Sequence, residues 1–146
     1  MDIELVATFY ERLAPVVEKL QAGGKMDIPV KEGGWTPKQL IHHLADAQTQ
    51  AYYRILWLLT EDHTTLKPFD QDSWVAVVSD HPVEASLSLL KGIYSRWYHL
   101  LKDLDPSQYE RTGMHPETGE VKIGPLVEYY INHGETHFSQ FASMVD

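Results

Sequence analysis

The sequence predicts an all-α fold, a four-helix bundle forming one domain over residues 1–146. Three observations carry this. Apolar residues recur with a helical period over four stretches of about twenty residues each. Helix-starting or helix-stopping residues punctuate these stretches, such as Gly23-Gly24, Thr36-Pro37, Asp105-Pro106 and Pro125. The chain has 146 residues, 43% of them hydrophobic, with four Trp, eight Tyr and four Phe, which suffices for one packed core. No internal repeat, low-complexity segment or second domain is visible.

The first helical pattern covers about residues 2 to 21 and stops at Gly23-Gly24. Pro15 lies inside it and is expected to bend or break it locally. The connector IPVKEGG follows. The second pattern begins in GWTPKQLIHHL, where Thr36 suits the N-cap, Pro37 the first helical position and Gln39 the third residue of a T-x-x-Q capping box. It runs to about Thr60. The next connector, EDHTTLKPFDQDSW, leads into a short helix around residues 71 to 78. A third long pattern starts near Pro82 and runs to about Leu104, where Asp105-Pro106 stops it. Residues 107 to 123 read as irregular, with HPETG as a turn and VKI as a short extended piece. Pro125 opens the last helix, which continues to about Met144. Four such helices joined by loops make an antiparallel bundle.

Charge and composition narrow the function. Lys plus Arg number 12 against 21 Asp plus Glu, a net charge of −9 with His neutral. No basic stripe is available to grip phosphates, so nucleic acid and anionic membrane surfaces are poor partners. With no cysteine, disulfides, thiolate metal sites and a cysteine nucleophile are excluded. The start, MDIELVATFYERL, is acidic and amphipathic, unlike a signal peptide. No apolar stretch reaches the ~18 residues of a membrane span. The expectation is a soluble, acidic, cytoplasmic protein acting on a small molecule.

The informative stretch is YYINHGETHFSQF, residues 129 to 141. His133 and His137 lie four apart, one turn of helix. At about 100° per residue, His137 falls inside the apolar arc of Val127, Tyr130, Ile131, Phe138 and Phe141, and His133 falls on its edge. In the second helix, Leu40, Leu44, Ala51, Ile55 and Leu58 mark the buried stripe, with His43 on its flank. His42 points away, toward Asp46 and Tyr53, and reads as an outer residue. His43, His133 and His137 can therefore meet in the interior. Neutral imidazole suits Zn, Ni, Cu or Fe(II). An i, i+4 pair places two nitrogens on one side of a cation. Three protein ligands leave a position open, the catalytic arrangement. The same residues also suit a core in which each imidazole bonds a carbonyl, and a chance i, i+4 pair is unsurprising among eight histidines. The motif is not H-E-x-x-H. Glu135 points to the far side of the helix, so no catalytic side chain is assigned.

The ordered segments GGWTPKQLIHHLADAQTQAYYRILWLLTED, KPFDQDSW, LSLLKGIYSRWYHLL, HPETG and NHGETH resemble the DinB/YfiT-like family of metal-dependent enzymes, closest to its YfiT-like branch, over about residues 33 to 141. The resemblance implies a four-helix bundle with one divalent ion, nickel or zinc, on His43, His133 and His137. It implies activity as a hydrolase, or as an S-transferase using a low-molecular-weight thiol such as bacillithiol; other relatives act in mycothiol-dependent isomerisation. A homodimer is common among relatives. The chain departs from the branch pattern ADSH plus Asn at Ala47, Gln48 and Gln50, from PYDE at Phe69 and Gln71, and from a His-rich run at Gly134, Glu135 and Thr136, so the substrate does not carry over.

An open three-histidine site permits attack by an activated water or by a thiolate, and any thiol must come from outside the chain. Arg54, eleven residues beyond His43 and roughly 16 Å along the helix, cannot reach the same metal; it is a candidate for a substrate carboxylate or for pairing with a surface acid. Gln50 is a candidate for lining the pocket or for plain packing. Asp70 and Trp74 either cover an end of the bundle or pack as loop residues. His115 reads as a turn residue, and His63, His81 and His99 as surface or cap residues. The alternative to an enzyme is a non-catalytic, metal-stabilised bundle serving as a binding module.

Overall fold

The computed structural model describes residues 1–145. Its long helices are α1 (Ile3–Ala22), α2 (Pro37–Thr60), α4 (Val83–Lys102) and α5 (Ile123–Ser143), with a short α3 (Gln71–Val78) between α2 and α4. Local chemistry sets the ends. The Asp2 carboxylate accepts from the Glu4 N–H at 3.1 Å and opens α1. The capping box of α2 forms in full: Thr36 Oγ1 accepts from the Gln39 N–H at 3.2 Å, and Gln39 Oε1 accepts from the Thr36 N–H at 3.0 Å. Asp70 caps α3 through the Ser73 N–H at 3.1 Å.

Two expectations need correction. α1 is not broken at Pro15 but continues to Ala22. The loss of one backbone N–H is outweighed by burial of Val6, Phe9, Leu13, Val17 and Leu20 on either side of it. Residues 107–123 are not irregular either. Pro106–Glu110 form a 3-10 turn, and β1 (Thr112–His115) pairs antiparallel with β2 (Gly119–Lys122), with Thr112 opposite Lys122 and His115 opposite Gly119. Strands of four residues are too short to show a period. HPETG is the hairpin turn: His115 Nδ1 accepts from the N–H groups of Glu117 and Thr118 at 3.1 and 3.3 Å, and Gly119 takes a φ of +86°. α5 begins two residues before Pro125, which sits in the first turn where the missing N–H has no partner to lose.

The four long helices pack in the ring order α1–α4–α2–α5. α1 and α2, neighbours in sequence, lie across a diagonal, and so do α4 and α5. This order makes α2 and α5 adjacent. The core between them contains Phe9, Leu13, Leu44, Ile55, Leu90, Trp97, Val127 and Phe141, each at most 1% exposed. Such side chains contribute roughly 1.5–3 kcal/mol apiece when fully buried. No helix is long and apolar enough to cross a membrane among the described residues.

All four helices meet at Gly134 of α5. A Cβ there would overlap the Tyr94 hydroxyl of α4, lie 3.1 Å from Gln48 Nε2 of α2 and 3.4 Å from Phe9 Cε2 of α1. Tyr94 cannot step aside: its ring stacks on Phe9 at 4.1 Å and its hydroxyl accepts from Gln48 Nε2 at 2.7 Å. Gly92, exposed on α4, has nothing within 4 Å of a Cβ. Gly134→Ala is therefore expected to destabilise the fold by about 1–3 kcal/mol through overpacking, and Gly92→Ala to stabilise it by about 0.5–1 kcal/mol. Urea midpoints of the two variants should move in opposite directions from wild type. A Gly134→Ala midpoint at or above that of wild type would contradict the packing at Gly134.

Candidate metal centre

The ring order brings the flank of α2 that carries His43 against the face of α5 that carries His133 and His137. His133 Nε2 lies 3.3 Å from His43 Nε2 and 3.1 Å from His137 Nε2. One ligand atom from each of the three residues lies within 4.8 Å of the others, and no Asp, Glu or further His joins the group among the described residues. His43 is buried at 3% exposure, whereas His133 and His137 are half-buried. The open side of the cluster is therefore on α5.

Burial sets the protonation. Removal from water pushes His43 down to about 4 and His133 down to about 3, with neighbouring imidazoles adding to both shifts. Burial also lowers His137, opposed by its hydrogen bond to Gln140. A second charge beside the first is unfavourable at such separations. The cluster is thus held neutral near pH 7, the form in which imidazole donates a lone pair to a metal.

Each imidazole has a different support. His137 Nδ1 bonds Gln140 Oε1 at 2.7 Å, and His133 Nδ1 bonds Gln48 Oε1 at 3.2 Å. His43 Nδ1 is buried without a partner, and its ring packs against Trp35 with centroids 4.7 Å apart. A cleft of about 300 Å³ borders His137. Trp35, Leu40 and Gln140 also line it, and Lys31 and Asp72 bring one charge of each sign. A larger cavity of about 570 Å³ lies at the hairpin end among Glu61, Asp62, His63, Arg111 and Glu120, and none of His43, His133 and His137 lines it.

His42 needs correction: it is not an outer residue but 3% exposed. Its Nε2 donates to the His81 carbonyl at 2.9 Å and its Nδ1 pairs with Ser86 Oγ at 2.7 Å. Both flanks of α2 are interior, because α4 covers one and α5 the other. The two adjacent histidines face opposite interfaces. Arg54 is also buried. It donates to the Tyr130 hydroxyl and to the Lys67 carbonyl, both at 2.7 Å, so it pairs with no surface acid. Gln50 is half-buried and has no side-chain hydrogen bond among the described residues. Glu135 faces α1, where Arg12 grips both its oxygens at 2.8 and 2.9 Å.

Sequence reasoning takes Gln48 only as a departure from the family pattern. In the structure it is fully buried and bonds His133, Tyr94 and the Tyr130 carbonyl. A signal for it exists: Gln48 lies four after Leu44, three before Ala51 and seven before Ile55, in the centre of the apolar stripe. An amide there must be satisfied internally.

Comparison with known proteins agrees with this architecture. The sequence profile of the DinB superfamily matches residues 6–141. A relative from Oceanobacillus iheyensis, provisionally named a metal-dependent hydrolase, is 40% identical over 121 residues, 82% of this chain and 70% of its own length. A Bacillus mycoides relative of the same provisional name is 36% identical over the same shares. YfiT from Bacillus subtilis, whose solved structure is described as a probable metal-dependent hydrolase with an unusual four-helix bundle topology, superposes with a TM-score of 0.89 at 29% identity, over 97% of this chain and 82% of that one. The mycothiol-dependent maleylpyruvate isomerase shares the fold, with a TM-score of 0.75 at 14% identity over 95% of this chain and 58% of that one. With its profile match nearly end to end and its bundle shared with YfiT, the chain belongs to the DinB superfamily, on the DinB/YfiT-like side of it.

Proposed function

We propose that the chain is a metal-dependent enzyme that holds one divalent ion, nickel or zinc, on His43, His133 and His137, and hydrolyses a small molecule in the cleft beside His137. The observation that carries this reading is the convergence of the three Nε2 atoms. Metal–nitrogen bonds of about 2.0–2.1 Å in a tetrahedron place ligand nitrogens about 3.3 Å apart. The two separations at His133 are 3.3 and 3.1 Å. Three protein ligands without a fourth leave a coordination position for water or substrate, as a catalytic site requires. The provisional names of the relatives favour hydrolysis.

When bound, the ion supplies Lewis acidity and lowers the pKa of a coordinated water or thiol. The chain's own residues do the rest. His43 is fixed beneath Trp35 on the dry side, so substrate approaches past the half-buried His133 and His137. Gln140 orients His137. Trp35 and Leu40 offer an apolar wall in a cleft sized for a small molecule. The chain has no cysteine, so a thiol reaction at this site requires an external low-molecular-weight thiol as co-substrate.

Elemental analysis of untagged protein should find close to one nickel or zinc per chain, lost in His137→Ala with helical content unchanged. The loaded protein should then turn over members of an ester and amide panel without added thiol. No metal after purification, with failed reconstitution by both ions, would reject the reading. Turnover only with added thiol would replace hydrolysis by S-transfer. Stoichiometric metal with no turnover under either condition would favour a metal-stabilised binding module.

Burial of neutral imidazoles also predicts a pH dependence for the metal-free protein. Histidines of the unfolded chain take up protons near about 6.5, whereas folded His43 and His133 do so only near 4 and 3. Below about pH 6.5 the unfolded state binds protons that the native state refuses, so stability falls as pH falls. Above that pH the contribution is complete. The urea midpoint of metal-free protein should drop between about pH 7.5 and pH 5, and His133→Gln should flatten the drop. An equal slope in both proteins would refute it.

A further inference from the structure

Resting on the metal reading above, we infer that Gln48 is a positioning residue that fixes the tautomer of His133, so that the Nε2 lone pair of the central imidazole faces His43 and His137. One hydrogen-bonding group near Gln48 cannot change roles. The Tyr130 backbone carbonyl only accepts hydrogen bonds. It lies 3.0 Å from the atom of Gln48 that must therefore be the amide nitrogen, which also donates to the Tyr94 hydroxyl at 2.7 Å. Flipping the amide would set two carbonyl oxygens against each other in a site without solvent, since Gln48 is 0% exposed. Gln48 Oε1 is thereby aimed at His133 Nδ1, 3.2 Å away, and it only accepts. The proton of neutral His133 belongs on Nδ1, and Nε2 is left with its lone pair.

The other two imidazoles lack such a lock. His137 bonds Gln140, which is half-buried and, among the described residues, has no second side-chain partner to fix its amide. His43 Nδ1 has no hydrogen-bond partner among the described residues. Only His133 is tied to a buried network that reaches three helices: Gln48 on α2, Tyr94 on α4, and Tyr130 with His133 on α5. It is also the imidazole whose Nε2 is within 3.3 Å of both others. A single buried amide thus orients the ligand around which the other two are arranged.

Imidazole nitrogen shifts of the metal-free protein, read by long-range nitrogen–proton correlation near pH 7.5, test this directly. His133 is expected as the Nδ1–H tautomer. An Nε2–H tautomer in wild type would overturn the inference, and this result depends on no variant. Gln48→Met should move His133 toward Nε2–H and weaken zinc binding by about 10- to 100-fold, measured by competition with a chelator. Gln48→Glu, whose buried carboxyl stays protonated so that its O–H donates to the Tyr130 carbonyl while the other oxygen accepts from Nδ1–H, should keep the tautomer and stay within a few-fold of wild-type zinc affinity. An unchanged tautomer in a folded Gln48→Met protein would also overturn the inference. Failure of wild type to bind zinc or nickel would instead reject the proposed function, while the nitrogen shifts decide the tautomer on their own.

Discussion

At Gly134 a missing side chain sets the spacing of the whole bundle. The backbone of α5 approaches Tyr94, Gln48 and Phe9 at once, from three different helices, and no Cβ fits there. Close approach is what puts Gln48 within reach of both the Tyr130 carbonyl and His133. It also lets α5 lie deep enough against α2 for His133 and His137 to meet His43. The glycine between the two histidines of the H-x-x-x-H pair is therefore part of the site, although it bonds nothing.

The same closeness creates an electrostatic demand. Three imidazoles packed with Nε2 atoms at 3.1 and 3.3 Å cannot all charge, and burial already holds them neutral. Neutral imidazoles with converging lone pairs leave acceptors that face one another and cannot all be satisfied by protein hydrogen bonds. A divalent ion would remove that conflict in one step, converting mutual repulsion into three ligand bonds. Stability and metal affinity are linked in such a site, because the ion binds the folded chain more tightly than the unfolded one. The unpartnered Nδ1 of buried His43 is consistent with a residue retained for its other nitrogen.

The helices were legible in the sequence because their signals are local: a capping box at Thr36, glycine stops at Gly23 and Gly24, and long stretches of apolar period. What escaped was non-local. The hairpin of Thr112–His115 with Gly119–Lys122 is too short for a period, and is held partly by the backbone of Thr64 and Leu66, which lie far away in sequence. His42 was misplaced because a helical wheel assumes one buried side, whereas α2 is covered on two. His43, His133 and His137 lie on flanks that the helical period already turns inward, and the α2–α5 contact brings those flanks together. Gln48 required the partners to be known: its place on the apolar stripe signals burial, but only Tyr130 and Tyr94 say which way its amide points.

The ring order explains why the last helix can carry two histidines of the cluster and a structural ion pair within five residues. α5 sits between α1 and α2, so alternate sides of H-G-E-T-H address different neighbours. His133 and His137 turn to α2. Glu135 turns to α1, where Arg12 holds it with two hydrogen bonds and itself lies over the Phe138 ring at 5.1 Å. A part-exposed pair of this kind contributes no more than about 1 kcal/mol by its charges. Its two parallel hydrogen bonds add a directional contact to the buried face of Val127, Ile131, Gly134 and Phe141, which sets the rotation of α5 about its own axis. That rotation decides where the two imidazoles point. Glu135, despite its position between the histidines, faces away from them and is bonded through both oxygens to Arg12.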